Sequence, residues 1–500
     1  MAIYFRRLIV LHILLMSIVA SAAATTEKHL TLVFAGNMPD ISKHTYGTFT
    51  DLSGLLEKIR AKKTPTIFTF GGGSLGPSPF SSLDKGSHII DILNTLEPDL
   101  MTLTKREFSY FEDELTLRSY EAAFPIVSSN LYDPLINSNL EGILTSLIVE
   151  KEDVKVGFIS ILDEDVVEEY SLKRASVLEP REVIQQQIDL LKQKGAELLV
   201  LVYSKERDYY QTLISENQID FALRILPTSA SNHTQLQPNR VYSISSKEPI
   251  IVLRISWQAK GQEKKITIKT SKHNSAYIPT KPTTALLIDE YNQRLNRLLN
   301  QEIGFFGSEI LTSRSLVRTR EMPFGNFIAD VLKDYAKTDI GLINSGMIRG
   351  DKRYTKGSII TRKDIATELP FREHIAVLSV TGAQLIQALE NSVSQVEHAE
   401  GRFLQVSGIS FTYSLEKPAG KRIQSVHING NTLNPEQKYS VATSDYLANG
   451  GDGYDVFQNA LHNDKYTHKS SGVSHAVTRM IQLQKTIEPK VEFRIRRVAE

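Results

Sequence analysis

The sequence predicts two domains, a layered α/β domain followed by an α+β domain, and three observations lead to this expectation. The chain has 500 residues, which is more than one hydrophobic core usually serves. From residue 30 to about residue 281, short apolar segments alternate with amphipathic ones, as in layered α/β domains. From residue 305 to about residue 483 the two patterns mix without regular alternation, which favours an α+β domain.

In the first domain, short apolar runs predict strands and apolar residues at three- and four-residue spacing predict helices. The last three strands follow one another without a helix, which predicts an antiparallel end to the domain. The predicted strands are residues 30–35, 66–70, 100–103, 156–161, 198–202, 241–245, 250–257 and 265–270. The predicted helices are residues 55–62, 88–96 and 183–194.

A helix predicted over residues 283–304 joins the two domains. It follows Pro282, carries Ile288 and Leu295 on one face, and is expected to end at Gly304. In the second domain the predicted helices are 324–335 and 382–393, and the predicted strands are 375–380, 409–413, 426–428 and 439–443. The alternating tail, residues 491–498, predicts an edge strand.

Residues 1–24 are typical of a cleaved signal peptide. Arg6 and Arg7 precede the apolar run 8–20, and small residues follow at 21–24. A membrane anchor is the alternative, but the run is short and contains His12. Because no later stretch is long and apolar enough to span a bilayer, we expect an exported protein, periplasmic or secreted, with no membrane span in the mature chain.

Charge and cysteine content exclude several classes of partner and chemistry. A formal net charge of +1 gives no electrostatic basis for binding nucleic acid. The chain has no cysteine, which excludes disulfides, thiolate metal sites and cysteine nucleophiles.

Residues 344–349 are a first candidate site, because Asn344 and Arg349 follow a buried apolar strand. An ordinary turn is the alternative for this stretch.

Several motifs of the second domain, in this order, resemble the 5′-nucleotidases, a family that includes UDP-sugar hydrolases. They are Arg320-Glu321 with Gly325-Asn326, residues 344–349, Leu369-Pro370-Phe371, residues 403–408, and Asn449-Gly450-Gly451-Asp452-Gly453. The resemblance implies a four-layer α/β/β/α metallophosphoesterase-like domain over residues 28–280, joined by the helix to an α+β 5′-nucleotidase C-terminal domain over residues 305–485. It also implies a nucleoside or nucleotide ligand.

Carried over position by position, the resemblance implies a nucleoside pocket in the second domain. Phe371 and Tyr446 would stack on the two faces of the base. Asp452 would accept hydrogen bonds from the ribose hydroxyls. The remaining nucleotide-binding residues, which would meet ribose and phosphate, are Arg320, Asn344 and Arg349.

The first domain departs from the family pattern where the family binds two divalent metal ions. Residues other than the family ligands stand at the metal positions, namely Asn37, Pro39, Gly73, Lys105, Lys205, Leu226 and Thr228. Arg106 stands in place of the catalytic histidine. Because most of these side chains cannot coordinate a cation, we expect no metal cofactor and no catalytic residue of the family type. Lys105, Arg106 and Lys205 form a hypothetical anion site instead, unless the loops open and the side chains point into water.

These observations predict an exported, nucleotidase-like pseudoenzyme that binds a nucleoside or nucleotide without metal-dependent hydrolysis. An active nucleotide phosphohydrolase with a non-standard site is the first alternative. The second alternative is a protein-interaction module on a relic nucleotidase scaffold. The sequence does not indicate a particular protein partner.

Overall fold

The computed structural model describes residues 27–41, 47–170, 172, 174–226, 240–260, 263–272, 281–371, 373–458, 460–462 and 472–498. The predicted signal peptide and Thr228 lie outside these residues. Among the described residues, no helix has both the length and the apolar character needed to cross a membrane.

The first domain contains a seven-stranded sheet in which the central strands are parallel. In spatial order its strands are Glu263–Lys272, Ile250–Lys260, Lys28–Ala35, Thr66–Phe70, Leu100–Thr102, Ile126–Val127 and Ile143–Leu144. Ala35 pairs with Phe70, and Phe70 pairs with Met101. The carboxyl ends of these three strands therefore align at one edge of the sheet.

A second sheet packs face to face on the first. Its strands, in spatial order, are Val241–Ile244, Phe221–Ile225, Leu198–Tyr203, Val154–Ile161 and Leu147–Lys151. Phe34 from the first sheet and Phe158 from the second lie in the same buried cluster, because each strand is apolar on its inner face. A separate two-stranded pair consists of Leu131–Tyr132 and Ser176–Val177.

Helices cover the outer faces of both sheets. Those on the side of the first sheet include Phe49–Arg60, Ser87–Leu96 and Phe111–Glu121, and those on the second sheet are Pro180–Gln193 and Asp208–Ser215. Shorter helices are Ser81–Asp84, Asp165–Glu169 and the 3-10 turn Lys105–Phe108. The predicted four-layer α/β/β/α architecture is confirmed.

The linker helix spans Pro282–Leu299, with Pro282 in its first turn. Ile288, Leu295 and Leu299 pack into the core of the first domain. The prediction that this helix continues to residue 304 is wrong. Residues Glu302–Phe306 form a strand instead, because their backbone pairs with the strand Ile359–Thr361 on one side and with Thr486–Ile487 on the other.

The second domain is an α+β domain with one central five-stranded sheet. In spatial order its strands are Leu404–Ser407, Ile340–Asn344, Lys438–Ser444, Ile375–Thr381 and Leu461–His462. Ile340 pairs in parallel with Val441, so Asn344 and Ser444 end at the same edge.

Smaller sheets and helices complete the second domain. A four-stranded sheet contains Asn431–Thr432, Ile423–Ile428, Ile409–Tyr413 and Ile495–Arg497, and a two-stranded sheet contains Ile310–Leu311 and Arg353–Tyr354. The helices are Arg314–Val317, Pro323–Ala336, Arg362–Glu368, Gly382–Val393, Asp445–Ala448, Asp455–Gln458 and Val473–Gln484, with 3-10 turns Ser345–Met347, Val396–His398 and Gly451–Gly453. The tail strand Ile495–Arg497 lies at a sheet edge, as its alternating sequence predicts.

Candidate functional site

A cleft with a volume of about 1080 Å³ lies between the two domains. Loops that follow strands line it from both sides. Asn37, Gly73 and Lys105 follow three strands of the first domain, and Asn344 and Asp445 mark the ends of two strands in the second domain. Carboxyl ends of strands are where α/β sheets usually bind ligands. The helix Asp165–Glu169 also packs against the turn Gly451–Gly453, so the two domains touch beside the cleft.

Most of the residues singled out from the sequence line this one cleft. They are Asn37, Gly73, Lys105, Arg106, Lys205 and Leu226 from the first domain, and Asn344, Arg349, Phe371, Tyr446 and Asp452 from the second. Pro39 and Arg320 are not among the lining residues. The fold therefore brings the predicted nucleoside residues and the replaced metal positions to the same opening.

Asp452 is held in the cleft by two side chains. Asn344 donates from Nδ2 to Asp452 Oδ2 at 2.7 Å, and the Tyr446 hydroxyl donates to Oδ1 at 2.9 Å. Burial and the charge of Asp452 raise the pKa of Tyr446, so this hydroxyl stays a donor. Asn344 Oδ1 is buried and has no hydrogen-bond partner among the described residues. The site thus presents a fixed carboxylate beside an open acceptor, and both could receive hydroxyl groups of a ligand.

Arg349 lies among other cations in the cleft. Its guanidinium sits over the Phe371 ring, 5.4 Å from the ring centroid, and donates to Gly346 O at 3.3 Å. Burial, together with the charges of Arg314, Arg318 and Arg106, lowers the pKa of Arg349 to about 10. None of the carboxylates in the described ranges forms an ion pair with Arg349, Arg314 or Arg318 within 4.0 Å.

Arg314 and Arg318 line the cleft, whereas Arg320 of the same segment does not. Arg318 donates to Ala399 O at 3.2 Å, and burial followed by the charge of Arg314 lowers its pKa. Arg320 is exposed. This corrects the position expected from the sequence. Arg314 and Arg318 are four residues apart at the end of a short helix, and this spacing is the signal that could have identified them.

Both lysines of the hypothetical anion site form ion pairs within the first domain. Lys105 Nζ lies 2.7 Å from Glu169, and Lys205 Nζ lies 2.8 Å from Asp165 Oδ2 and 3.7 Å from Glu164. The hydrogen bond that Lys205 Nζ donates to Asp165 raises the pKa of Lys205. Each lysine therefore has an acidic partner in the first domain, and the three-residue anion site stays a prediction. Arg106 instead donates from Nε to Gly76 O at 3.0 Å and adds its charge to the arginines around Arg349.

Glu107 keeps the first-domain loops closed around the cleft. It is 2% exposed and accepts hydrogen bonds from the backbone N–H groups of Gly73, Ser74 and Leu75 at 2.8 to 3.2 Å. It also accepts from the backbone N–H and hydroxyl of Thr104 at 2.9 Å. Glu107 therefore ties the loop that carries Gly73 to the turn that carries Lys105.

The sequence of this chain is similar to that of known proteins. Residues 303–459 match the family model described as 5′-nucleotidase, C-terminal domain. This part of the chain is therefore similar to the C-terminal domain of the 5′-nucleotidases.

Similar proteins cover most of the chain. The trifunctional nucleotide phosphoesterase protein YfkN of Bacillus subtilis is 25% identical over 89% of the chain, which spans 33% of that protein. The human 5′-nucleotidase is 24% identical over 88% of the chain and 84% of its own length. The crystal structure of a 5′-nucleotidase precursor from Thermus thermophilus is 23% identical, covers 94% of this chain and 100% of its own, and has a TM-score of 0.69.

The positions at which the resemblance implies metal ligands carry few side chains that could coordinate a metal. Asn37 Nδ2 donates to Leu226 O at 3.1 Å, which turns the amide nitrogen toward the neighbouring loop. Gly73 has a φ of 74°, and an added Cβ there would lie 3.2 Å from Asn37 Cα. Within the ranges that the structure describes, no group of three or more histidine, aspartate or glutamate residues could hold a metal ion.

Proposed function

We propose that this protein is a 5′-nucleotidase family member that binds a nucleoside or nucleotide in the interdomain cleft and does not hydrolyse it by a two-metal mechanism. One observation carries the proposal. Arg349, Phe371 and Asp452 share a cleft with first-domain loops in which Lys105 and Lys205 form ion pairs at family metal positions. The cleft therefore combines groups that recognise a nucleotide with groups that do not coordinate cations.

The nucleoside end of the ligand fits the second-domain wall of the cleft. Phe371 and Tyr446 both line the cleft, and each offers an aromatic ring on which a planar base could stack. The ribose hydroxyls would then donate to Asp452 and to the open Oδ1 of Asn344. These contacts tolerate different bases, because they address the sugar and the ring faces.

The phosphate end fits the arginines and not the lysines. Arg314, Arg318 and Arg349 line the cleft, where no described carboxylate pairs with them within 4.0 Å, and Arg106 contributes from the first domain. Guanidinium groups bind phosphate oxygens by paired hydrogen bonds. A bound phosphate would also relieve the repulsion that lowers the pKa of Arg349. The anion site is thereby proposed to consist of Arg106 and the second-domain arginines.

The residues around the first-domain loops do not fit a pair of divalent cations. A divalent cation would have to compete with Lys105 for Glu169 and with Lys205 for Asp165. Two further carboxyls line this side of the cleft. Asp163 accepts from the Lys205 backbone N–H at 3.2 Å, and burial raises its pKa, while Glu206 forms an ion pair with Arg224 at 3.0 Å. Two-metal hydrolysis needs unpaired ligands held close around both ions. No hydrolytic step is therefore assigned to these residues.

A binding titration tests the proposal. Calorimetric titration with adenosine, uridine and their monophosphates should detect binding, and Phe371→Ala should remove most of it. Phe493→Ala, at an exposed phenylalanine of the same domain, is the matched control and should bind like the unmodified protein. Failure of all four ligands at millimolar concentration would end this proposal.

Export remains part of the proposal. It rests on Arg6, Arg7, the apolar run 8–20 and the small residues 21–24. Amino-terminal sequencing of the protein recovered from its native cells should find the chain starting near residue 25. A chain that retains residue 1 inside the cell would contradict it.

A further inference from the structure

Glu373 is an unassigned carboxyl in the cleft, two residues after Phe371. Its side chain lines the cleft, and its Oε2 atom is buried without a hydrogen-bond partner in the described part of the chain. A buried polar atom without a partner costs free energy that a ligand with a matching group would recover. A ligand that forms a hydrogen bond with Glu373 would therefore gain binding free energy.

The surroundings of Glu373 favour its neutral form. Burial, aided by the charges of Asp445 and Asp452, raises the pKa of Glu373 to about 8, while the Ser444 hydroxyl acts in the opposite direction. The charge of Glu373 also contributes to the raised pKa of Tyr446. The nearby His374 is 3.3 Å from Asp445, its own acidic partner. At neutral pH the carboxyl therefore offers one O–H donor beside one carbonyl acceptor.

Glu373 lines the same cleft as Phe371 and Tyr446, and it is near enough to Tyr446 for its charge to affect the pKa of that hydroxyl. The two rings would hold the faces of the base, while Asn344 and Asp452 hold the sugar. The edge of the base is then the part left for a hydrogen-bonding side chain. Among the described residues of this wall, Glu373 is the carboxyl that has an unpartnered oxygen.

We propose that Glu373 is the specificity residue of the site and that it recognises an amino-substituted ring edge, as in adenine, through two hydrogen bonds. The carboxyl O–H donates to the ring nitrogen, and the carbonyl oxygen accepts from the exocyclic amino group. An ionised carboxylate would lose the first of these bonds and face a nitrogen lone pair. This inference rests on the proposed function and adds the identity of the base to it.

Calorimetric titration with adenosine and with purine riboside, which lacks the amino group, tests the inference. Unmodified protein should bind adenosine about tenfold more tightly than purine riboside at about pH 6.5, and Glu373→Ala should bind the two equally. Glu373→Gln keeps one donor and one acceptor, so it should retain the preference. Glu436→Gln, at an exposed glutamate, is the matched control. Thermal melts of all variants verify that they fold.

Changing the pH provides the second readout. Neutral Glu373 is present below its pKa and is lost as the pH rises through about 8. Adenosine affinity should therefore fall about tenfold between about pH 6.5 and about pH 9, and this fall should vanish in Glu373→Gln.

The outcomes separate this inference from the proposed function. Adenosine binding that is the same in the unmodified protein, Glu373→Ala and Glu373→Gln overturns the role of Glu373 and leaves the nucleoside site standing. Adenosine affinity that does not change with pH also overturns it. No binding of any nucleoside or nucleotide overturns both.

Discussion

Asn344 donates a hydrogen bond from Nδ2 to Oδ2 of Asp452 over 2.7 Å, and it thereby joins two motifs that are 108 residues apart in the chain. The bond fixes the aspartate on the wall of the cleft, while the Tyr446 hydroxyl holds its other oxygen. Asn344 Oδ1 is left open by the residues that the structure describes. The pair is thus arranged before any ligand binds, which reduces the ordering that binding would require.

Replacing this aspartate should weaken nucleoside binding. Asp452→Ala removes an ionised acceptor, and hydrogen bonds to charged groups contribute about 1.5 to 3 kcal/mol each. We expect a loss of adenosine affinity of about 10-fold to 100-fold by calorimetry. Asp455→Ala, at an exposed position three residues later, is the control and should bind normally. Equal affinity in the two variants would remove Asp452 from the site.

Arg318 should contribute to binding of the phosphate group, and Arg320 provides a closely matched control. Arg318→Ala should lower the affinity for a nucleoside monophosphate by about tenfold or more and leave the nucleoside affinity nearly unchanged, because the side chain is proposed to contact phosphate. Arg320→Ala, two residues away and exposed, should change neither affinity by more than about twofold. A larger effect at Arg320 than at Arg318 would refute this assignment.

The double variant Lys105→Ala, Lys205→Ala tests the role of the ion pairs. The lysine side chains are 40% and 42% exposed, and exposed pairs contribute less than about 1 kcal/mol each. We expect nucleoside monophosphate affinity within about threefold of the unmodified protein. A loss of more than about thirtyfold that is confined to phosphate-bearing ligands would restore the two lysines to the anion site.

Glu107 should matter for stability. Glu107→Ala leaves several buried backbone N–H groups without an acceptor, so the free energy of unfolding should fall by about 3 kcal/mol or more in urea titrations. Glu57→Ala, at an exposed helix position, should change it by less than about 0.5 kcal/mol. Similar urea midpoints of unfolding for the Glu107→Ala and Glu57→Ala variants would contradict the role given to Glu107.

The sequence was a good guide where local pattern decides structure. The strands Thr66–Phe70 and Ile409–Tyr413 and the helix Gly382–Val393 have the predicted bounds, because apolar periodicity and flanking breakers determine such elements. Five second-domain residues expected at the nucleoside site line one cleft, among them Asn344 and Asp452. Motifs at the ends of neighbouring strands meet because the strands run in parallel.

The features that the sequence did not predict depend on contacts between distant segments. Lys105 and Glu169 are 64 residues apart, and Lys205 and Asp165 are 40 residues apart. Nothing in the local pattern around either lysine indicates its partner. Arg318 and Arg320 are equivalent by composition, and the way the chain leaves the helix Arg314–Val317 decides which of them faces the cleft. The protonation of Glu373 likewise follows from burial, which needs the assembled fold.

The central claim is that the cleft binds a nucleotide without metal-dependent hydrolysis, and a paired assay tests it most directly. Purified protein of measured metal content is incubated with a nucleoside monophosphate and added Mn²⁺, Co²⁺ or Zn²⁺, and phosphate release is followed beside calorimetric binding. We predict saturable binding and recovery of the nucleotide intact with each metal. Phosphate release that persists through repeated purification and disappears in Arg106→Ala would contradict the account.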